Sequence, residues 1–383
     1  LVMRGGNICE GSIDTEADNI YVDISLVAEN QIVRKNDIII VASTGSTKVI
    51  GRAGISKMDY LDVAFGAFLL LVRPSTKVNQ RYIDYFFLSD NYRNRIKKLA
   101  SGININNIRG EYITETLVPL APLAEQQRIV DRIESLFAKL DEAKEKAQAV
   151  VDSFETRKAA ILHKAFTGEL TAKWREEHGV GMESWEKKSV GELCISLKYG
   201  TAKKSDASGN VVVLRMGNLQ QGEIDWSDLA YSNDPDDIEK YKLYPGDVLF
   251  NRTNSAALVG KTAIYRGEHP AIYAGYLIKL DYDHNKIIGD YLNYALNTLD
   301  AKKYCNSVKT DGVNQSNINA KKIGAYSFNV PSIPEQEKIV SVIQKLLSKE
   351  QQAKEAAEAV LDQIDLMKKS ILARAFRGEL GTN

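Results

Sequence analysis

At 383 residues, the chain is long enough for two or three domains of about 150 residues each. Its 44% hydrophobic and 26% charged residues are ordinary globular proportions, which exclude intrinsic disorder, a collagen-like fold and a disulfide scaffold. Fifty basic residues against fifty acidic ones leave no net charge, so any nucleic-acid binding requires basic groups gathered on one face rather than bulk attraction.

The chain opens at Leu1 with neither an initiator methionine nor a signal-peptide pattern. Short apolar runs bounded by turn residues predict strands at Asp37–Val41 and Ala67–Val72. An amphipathic helix is expected over Tyr82–Leu99 and a long one from Ala124 to Phe166, with Gly168 as its stop. Further strands are expected at Asp247–Phe250 and Gly275–Leu280, and a helix over Gly289–Tyr304. A second long helix should run from Pro334 to Phe376, opened by a capping box of Ser332 with Glu335 and stopped at Gly378. No apolar run approaches the ~20 residues of a membrane-spanning helix. Cys9, Cys194 and Cys305 are odd in number and far apart, which favours neither a disulfide framework nor a zinc cluster and fits a reducing cytoplasm.

That order of elements is written twice. Subtracting 210 from Ile371-Leu372 through Ala375-Phe376 and Gly378-Glu379-Leu380 gives Ile161-Leu162, Ala165-Phe166 and Gly168-Glu169-Leu170. The same offset of 210 carries Glu335-Gln336 to Glu125-Gln126, and an offset of 211 carries Arg215, Gly217 and Asn218 to Arg4, Gly6 and Asn7. A duplicated unit follows. The second copy opens with Trp185-Glu186 through Gly191-Glu192-Leu193, an opening the first copy lacks, so the natural N-terminus is expected to be absent from this sequence.

Apolar spacing gives the long helices their role. Ile129, Ile133, Leu136, Leu140, Ala143, Ala147, Val150, Phe154, Ile161 and Ala165 follow a 3-4 pattern. Ile339, Ile343, Leu346, Ala353, Ala357, Val360, Ile364, Ile371 and Ala375 repeat it, with Glu350 the one break, opposite Leu140. A narrow seam at period 3.5 on polar helices is a coiled-coil pattern, and each rod is roughly 60 Å long. The fold class expected is α+β. Two similar globular lobes are joined by two long helices that pair antiparallel about an internal pseudo-twofold axis. The expected boundaries are a first lobe over 1–122, helix and linker over 123–178, a second lobe over 179–333, and helix and tail over 334–383.

A catalytic constellation is absent from the pattern. His163, His178, His269 and His284 are scattered without metal spacing, and His163 is replaced by Ala373 in the second copy. No phosphate-binding loop, nucleophile elbow or dinucleotide fingerprint occurs. No catalytic or metal-binding residue is expected. Polar residues that match between the copies are of another kind. Arg4 and Asn7 recur as Arg215 and Asn218, while Asn104, Asn106 and Asn107 recur in part as Asn314, Gln315 and Asn317. Between the strands lie Ser43-Thr44-Gly45-Ser46-Thr47-Lys48 and Asn251-Arg252-Thr253-Asn254-Ser255. Such side chains bond phosphate oxygens and base edges, but they serve Asx and Ser/Thr turns equally well.

The runs Pro122–Val130, Leu136–Asp141 and Ala165–Leu170 resemble conserved regions of type I restriction–modification specificity subunits. Trp185-Glu186, Gly191-Glu192-Leu193, Arg215–Leu219 and Gly222–Asp225 resemble the start of such a subunit's target recognition domain. The resemblance covers essentially the whole chain. It implies a non-catalytic, cytoplasmic DNA-reading subunit whose two recognition domains each read half of a bipartite site on double-stranded DNA. The helices would set the spacer and dock two modification subunits, which carry the S-adenosylmethionine; no cofactor would bind this chain. Restriction motor–nuclease subunits would join for cleavage. Mapped by position, Arg4, Asn7, Ser43, Thr44, Ser46, Thr47, Lys48, Arg52, Asn104, Asn106 and Asn107 would serve one half-site. Arg215, Asn218, Asn251, Arg252, Thr253, Asn254, Ser255, Lys261, Asn314, Gln315 and Asn317 would serve the other, with Lys203 and Lys204 on phosphates. The rival readings are a two-lobed coiled-coil scaffold for proteins and a metal-dependent nuclease.

Overall fold

The computed structural model describes residues 1–17, 19–100, 106–313 and 315–380. The chain divides into two compact units, one comprising Leu1–Ala149 with Ala356–Asn383 and the other Val150–Glu355. Each unit therefore takes the start of one long helix and the end of the other.

In the first unit, Ile38–Val41 is the middle strand of an antiparallel sheet flanked by Ala53–Ile55 and Leu69–Val72. Val2–Met3 runs parallel to Ala64–Phe65 beside it. In the second unit, Val248–Asn251 is likewise flanked by Thr262–Ile264 and Leu277–Tyr282. Val248 faces Ile264 and Leu280 as Ile38 faces Ile55 and Val72. The second sheet carries a fourth strand, Cys194–Tyr199, with no counterpart among the described residues of the first.

The helix expected over Tyr82–Leu99 is two helices, Gln80–Leu88 and Asp90–Leu99, and its repeat is Gly289–Leu296 followed by Leu299–Val308. A hydroxyl makes each break: Ser89 accepts from Tyr92 N and Thr298 from Ala301 N, so each acts as an N-cap and restarts the helix at a new angle.

The first long helix spans Leu123–Asp152 and Phe154–Phe166, interrupted at Ser153, whereas the second runs unbroken over Ile333–Ala375. At the interruption Arg157 donates to Ser153 Oγ and, over 3.0 Å, to the Val150 carbonyl. Side chains that take up backbone carbonyls in this way loosen a helix. The capping box expected at Ser332 is not made with Glu335, whose carboxylate accepts from Thr171 Oγ1 (2.7 Å), Arg175 Nη1 (2.7 Å) and Trp185 Nε1 (3.0 Å). Gly168 and Gly378 end their helices at φ +81° and +77°, where a Cβ would be strained.

Antiparallel pairing is visible within each unit. In the first, Lys368 meets Asp141 and Lys144 meets Asp365; in the second, Arg157 meets Glu350 and Lys354 lies over the Phe154 ring. The seam is buried at matching positions: Ile129 and Ile339, Ile133 and Ile343, Ala147 and Ala357, Phe154 and Ile364, Ala165 and Ala375. Val360 departs from the expected seam at 40% exposure, and Leu162 and Leu372, each adjacent to an expected seam isoleucine, enter the lobe cores instead. The acid that breaks the pattern is explained by its partner. Arg157 and Glu350 form an ion pair, while the positions 210 residues away are Met367 and Leu140. A pair of positions that is apolar in one repeat is charged in the other. Both charges are less than a third exposed, so Arg157→Met alone should cost on the order of 1–3 kcal/mol by leaving Glu350 unpaired. Arg157→Met with Glu350→Leu should recover most of that loss in chemical denaturation, and additive losses would contradict the pairing.

Candidate nucleic-acid interface

The polar loops singled out by sequence converge in each lobe. Ser43–Thr44 pairs antiparallel with Asn106–Asn107, and Thr253–Asn254 pairs with Ser316–Asn317 in the equivalent register. Each pairing makes a small polar ribbon beyond the end of a fully buried core strand, Ile38–Val41 or Val248–Asn251. The anchoring is the same in both. Ile108 N donates to the Ala42 carbonyl (2.7 Å) and Ile318 N to the Arg252 carbonyl (2.8 Å), with both isoleucines buried. In the second lobe the hairpin strand Thr310–Asp311 adds a third member on the other side of Ser316–Asn317.

Three candidates are turned away from solvent. Asn7 and Asn218 are buried, and each closes its own turn. Asn7 Oδ1 accepts from Arg4 N (2.7 Å) and its Nδ2 donates to the Asp14 and Ala17 carbonyls. Asn218 accepts from Arg215 N (2.8 Å) and donates to the carbonyls of Asp225 (2.9 Å) and Asp228 (2.8 Å). Buried amides whose bonds are made inside the lobe have nothing to offer a base. Asn251 is also fully buried, with its Oδ1 taken by Thr253 N. These three are framework residues, a correction to their assignment as DNA contacts.

Other candidates are committed in part. Lys203 bonds Asp234 (2.5 Å) and lies 3.4 Å from Asp237. The bond to Asp234 raises the Lys203 pKa, and the same lysine holds the Asp234 carboxyl below its usual range. An ammonium so engaged is a poorer phosphate grip than its exposed neighbour Lys204. Arg215 pairs with Asp228 at 3.0 Å. Arg52 Nη1 donates to the Ile8 carbonyl (3.2 Å) and Lys261 Nζ to Gln220 Oε1 (2.8 Å). Arg4, Thr47, Lys48, Asn107, Ser255 and Gln315 are exposed, and Ser43, Thr44, Ser46, Arg252, Asn254 and Asn317 are half-buried, as is most of a rigid contact surface. Thr253 lies at the ribbon's buried edge. Asn104 and Asn314 lie outside the described residues, and of Asn106 only its strand pairing is described.

Further residues belong to the surface that sequence alone missed. In the first lobe Arg93, its guanidinium pushed down by burial, braces the loop by donating to the carbonyls of Ile50 (2.7 Å) and Lys48 (2.9 Å). In the second, Lys309 donates to the Ala256 carbonyl (3.2 Å), Lys322 to Thr310 Oγ1 (2.6 Å), and the Arg252 guanidinium lies 4.8 Å from the Tyr199 ring centre. Asn251 Nδ2 and Arg252 Nε are buried donors without a hydrogen-bond partner among the described residues. Among the described residues no group of three His, Cys, Asp or Glu side chains is placed to hold a metal ion.

A family model described as the type I restriction modification DNA specificity domain matches residues 5–151 and again residues 182–359. The chain belongs to that family. It is 30% identical, over 99% of its own length and 82% of theirs, to the type I restriction enzyme StySPI specificity subunit of Salmonella potsdam and the EcoKI specificity subunit of Escherichia coli strain K12. Two solved structures share the fold at 18% identity. The HsdS subunit of Thermoanaerobacter tengcongensis matches with a TM-score of 0.63 over 99% of this chain and 90% of that one. A chain solved for the complex assembly and conformational transition of the type I R-M system matches with a TM-score of 0.72 over 99% and 91%. Family membership decides among the readings: the chain is a non-catalytic specificity subunit, and neither a nuclease nor a scaffold without DNA readout. The duplicated unit seen in the sequence is the family domain, present twice. No described helix is long and apolar enough to cross a membrane.

The division between framework and surface is open to measurement. Asn218→Ala should lower stability by roughly 1–3 kcal/mol, because it removes the acceptor of the Arg215 N–H and the amide donor of the Asp225 and Asp228 carbonyls, while Ser255→Ala should stay within about 0.5 kcal/mol. Equal losses in chemical denaturation would contradict the assignment.

Proposed function

We propose that the two ribbons are the DNA-reading elements, each addressing one half of a bipartite site on double-stranded DNA. The observation that carries this reading is the recurrence of one polar ribbon, built from the same two segments 210 residues apart, in both copies of a DNA specificity domain. Its framework is held constant while the side chains it displays differ. Half-buried Thr44 stands where half-buried Asn254 stands in the other ribbon, and half-buried Ser43 and Arg252 stand where the other ribbon carries the buried Thr253 and Ala42. Two unlike displays on one scaffold read two unlike half-sites.

In this reading exposed and half-buried residues of each ribbon, Asn254 and Asn317 among them, reach the bases, and flanking cations such as Lys48, Lys204 and Lys322 reach phosphates. The paired helices set the spacer between the half-sites and dock two modification subunits, which bind S-adenosylmethionine. Restriction motor–nuclease subunits complete the assembly, which works in the cytoplasm. Each lobe alone grips few phosphates, and joining the two makes the second engagement intramolecular. Zero net charge fits a chain that shares its positive surface with partners.

Two experiments on the assembled complex test this. A heptad added to each long helix in matching register lengthens the pair by about 10 Å, equal to about three base pairs. Methylation of a spacer library should then favour a longer spacer with both half-sites unchanged, and an unshifted spacer would refute the role of the helices. Replacing Asn254 and Ser255 by alanine should relax one half-site only, and relaxation of both, or of neither, would refute the ribbon assignment.

A further inference from the structure

The second ribbon contains a clamp with no counterpart among the described residues of the first. Asn317 sits in its middle strand, directly opposite Thr253 on one side and Thr310 on the other. Arg252 Nη2 donates to Asn317 Oδ1 (3.2 Å), and Asn317 Nδ2 donates to Thr253 Oγ1 (2.8 Å). Arg252 is itself fixed, with Nη1 donating to the Gly275 carbonyl (3.4 Å) and its guanidinium lying against the Tyr199 ring. In the first lobe the position of Arg252 is Ala42, and Tyr199 belongs to a strand with no counterpart among the described residues of the first lobe.

The chemistry of the clamp fixes which way the amide faces. A guanidinium can only donate, so the oxygen of Asn317 must face Arg252 and its nitrogen must face Thr253. An amide has two N–H groups and two lone pairs on oxygen. The clamp uses one of each and leaves one of each, on a side chain that is half-buried. One acceptor beside one donor complements the major-groove edge of adenine, which shows an N6 donor and an N7 acceptor. Guanine shows two acceptors there and would oppose the remaining lone pair.

We propose that Asn317 reads an adenine in the half-site of the second lobe, and that Arg252 is a positioning residue holding the amide for that contact rather than a reader of guanine. The proposal rests on the ribbons being the DNA-reading elements. Pre-orientation matters because an amide free to rotate by a half-turn about its terminal bond presents donor and acceptor in either order and discriminates poorly. By the same argument the exposed Asn107 of the first lobe, opposite Ser43 and with Ala42 at the position of Arg252, has no guanidinium there to orient it and contributes less selectivity at its position.

The test uses the complex reconstituted with its modification subunits and a DNA library randomised at every position of both half-sites. The wild-type complex should show one adenine-specified position in the second lobe's half-site. Asn317→Ala should reduce the preference there by roughly ten- to a hundredfold, with all other positions unchanged. Asn317→Asp, which keeps the acceptor and loses the donor, should move that position towards cytosine, whose N4 amino group donates. Arg252→Ala should relax the same position. Unchanged preferences in both Asn317 variants, or a different position relaxed by Arg252→Ala, would overturn the proposal while leaving DNA reading by the ribbons intact. A wild-type complex without sequence preference in that half-site would instead overturn the ribbon assignment on which it rests. Because aspartate matches asparagine in size and the readout is the choice of base, general loss of structure does not imitate the expected result.

Discussion

The structure depends on antiparallel contact between the start of one long helix and the end of the other, made once in each unit. In the first unit Ile129, Val130 and Ile133 meet Leu372, Ala375 and Phe376 in a single core with Ile38, Ile40, Tyr82 and Phe86. In the second, Ile339, Val340 and Ile343 join Leu162 and Ala165 against Val248, Phe250, Tyr291 and Phe328. Burying six such side chains is worth on the order of 10 kcal/mol, as much as the whole stability of a typical domain. A lobe and its helix ends are therefore one folding unit, although they are remote in sequence. Gln126 and Gln336 fasten the joint with two bonds in common, and Gln336 adds a third to the Lys286 carbonyl. Each accepts from the first turn of a lobe helix, at Asn79 N or Ile288 N, and donates back to the carbonyl of Ala121 or Pro331.

A framework fixed from inside leaves its surface free to vary. Asn7 and Asn218 repeat almost bond for bond because each closes a buried turn, and Ile108 and Ile318 repeat because each plugs the root of a ribbon. The displayed residues obey no such rule. Thr44 of one ribbon stands where Asn254 stands in the other, both half-buried, and half-buried Arg252 stands where the first lobe carries a core alanine, Ala42. The two lobes of one chain already illustrate that freedom.

The parts legible in sequence were those under the strongest packing constraint. Seam residues recur at one fixed spacing because a buried position tolerates few side chains, so Ile133 and Ile343 announced the duplication and the coiled coil together. The grouping of the polar loops followed from the family resemblance, and their repetition was readable from sequence. Their orientation was not, because Asn7 and Asn107 are the same residue type in similar loops, and only the chain path turns one inward and the other out. Tyr199 escaped notice because its strand has no counterpart among the described residues of the first copy, so comparison of the repeats did not flag it. Glu335 reads as a capping residue from its spacing to Ser332, yet Arg175 and Trp185 are placed by the tertiary fold to take its carboxylate. Ser153 breaks its helix through bonds with Arg157, where the other helix carries Gln363 and no break.

The central claim is that two copies of one reading unit each address a separate stretch of duplex. Methylome sequencing of cells producing this chain with its modification subunits tests it most directly. The account predicts a methylated motif of two short specified blocks, unlike each other, separated by an unspecified run of constant length. A single contiguous motif, or one whose gap varies freely, would contradict it.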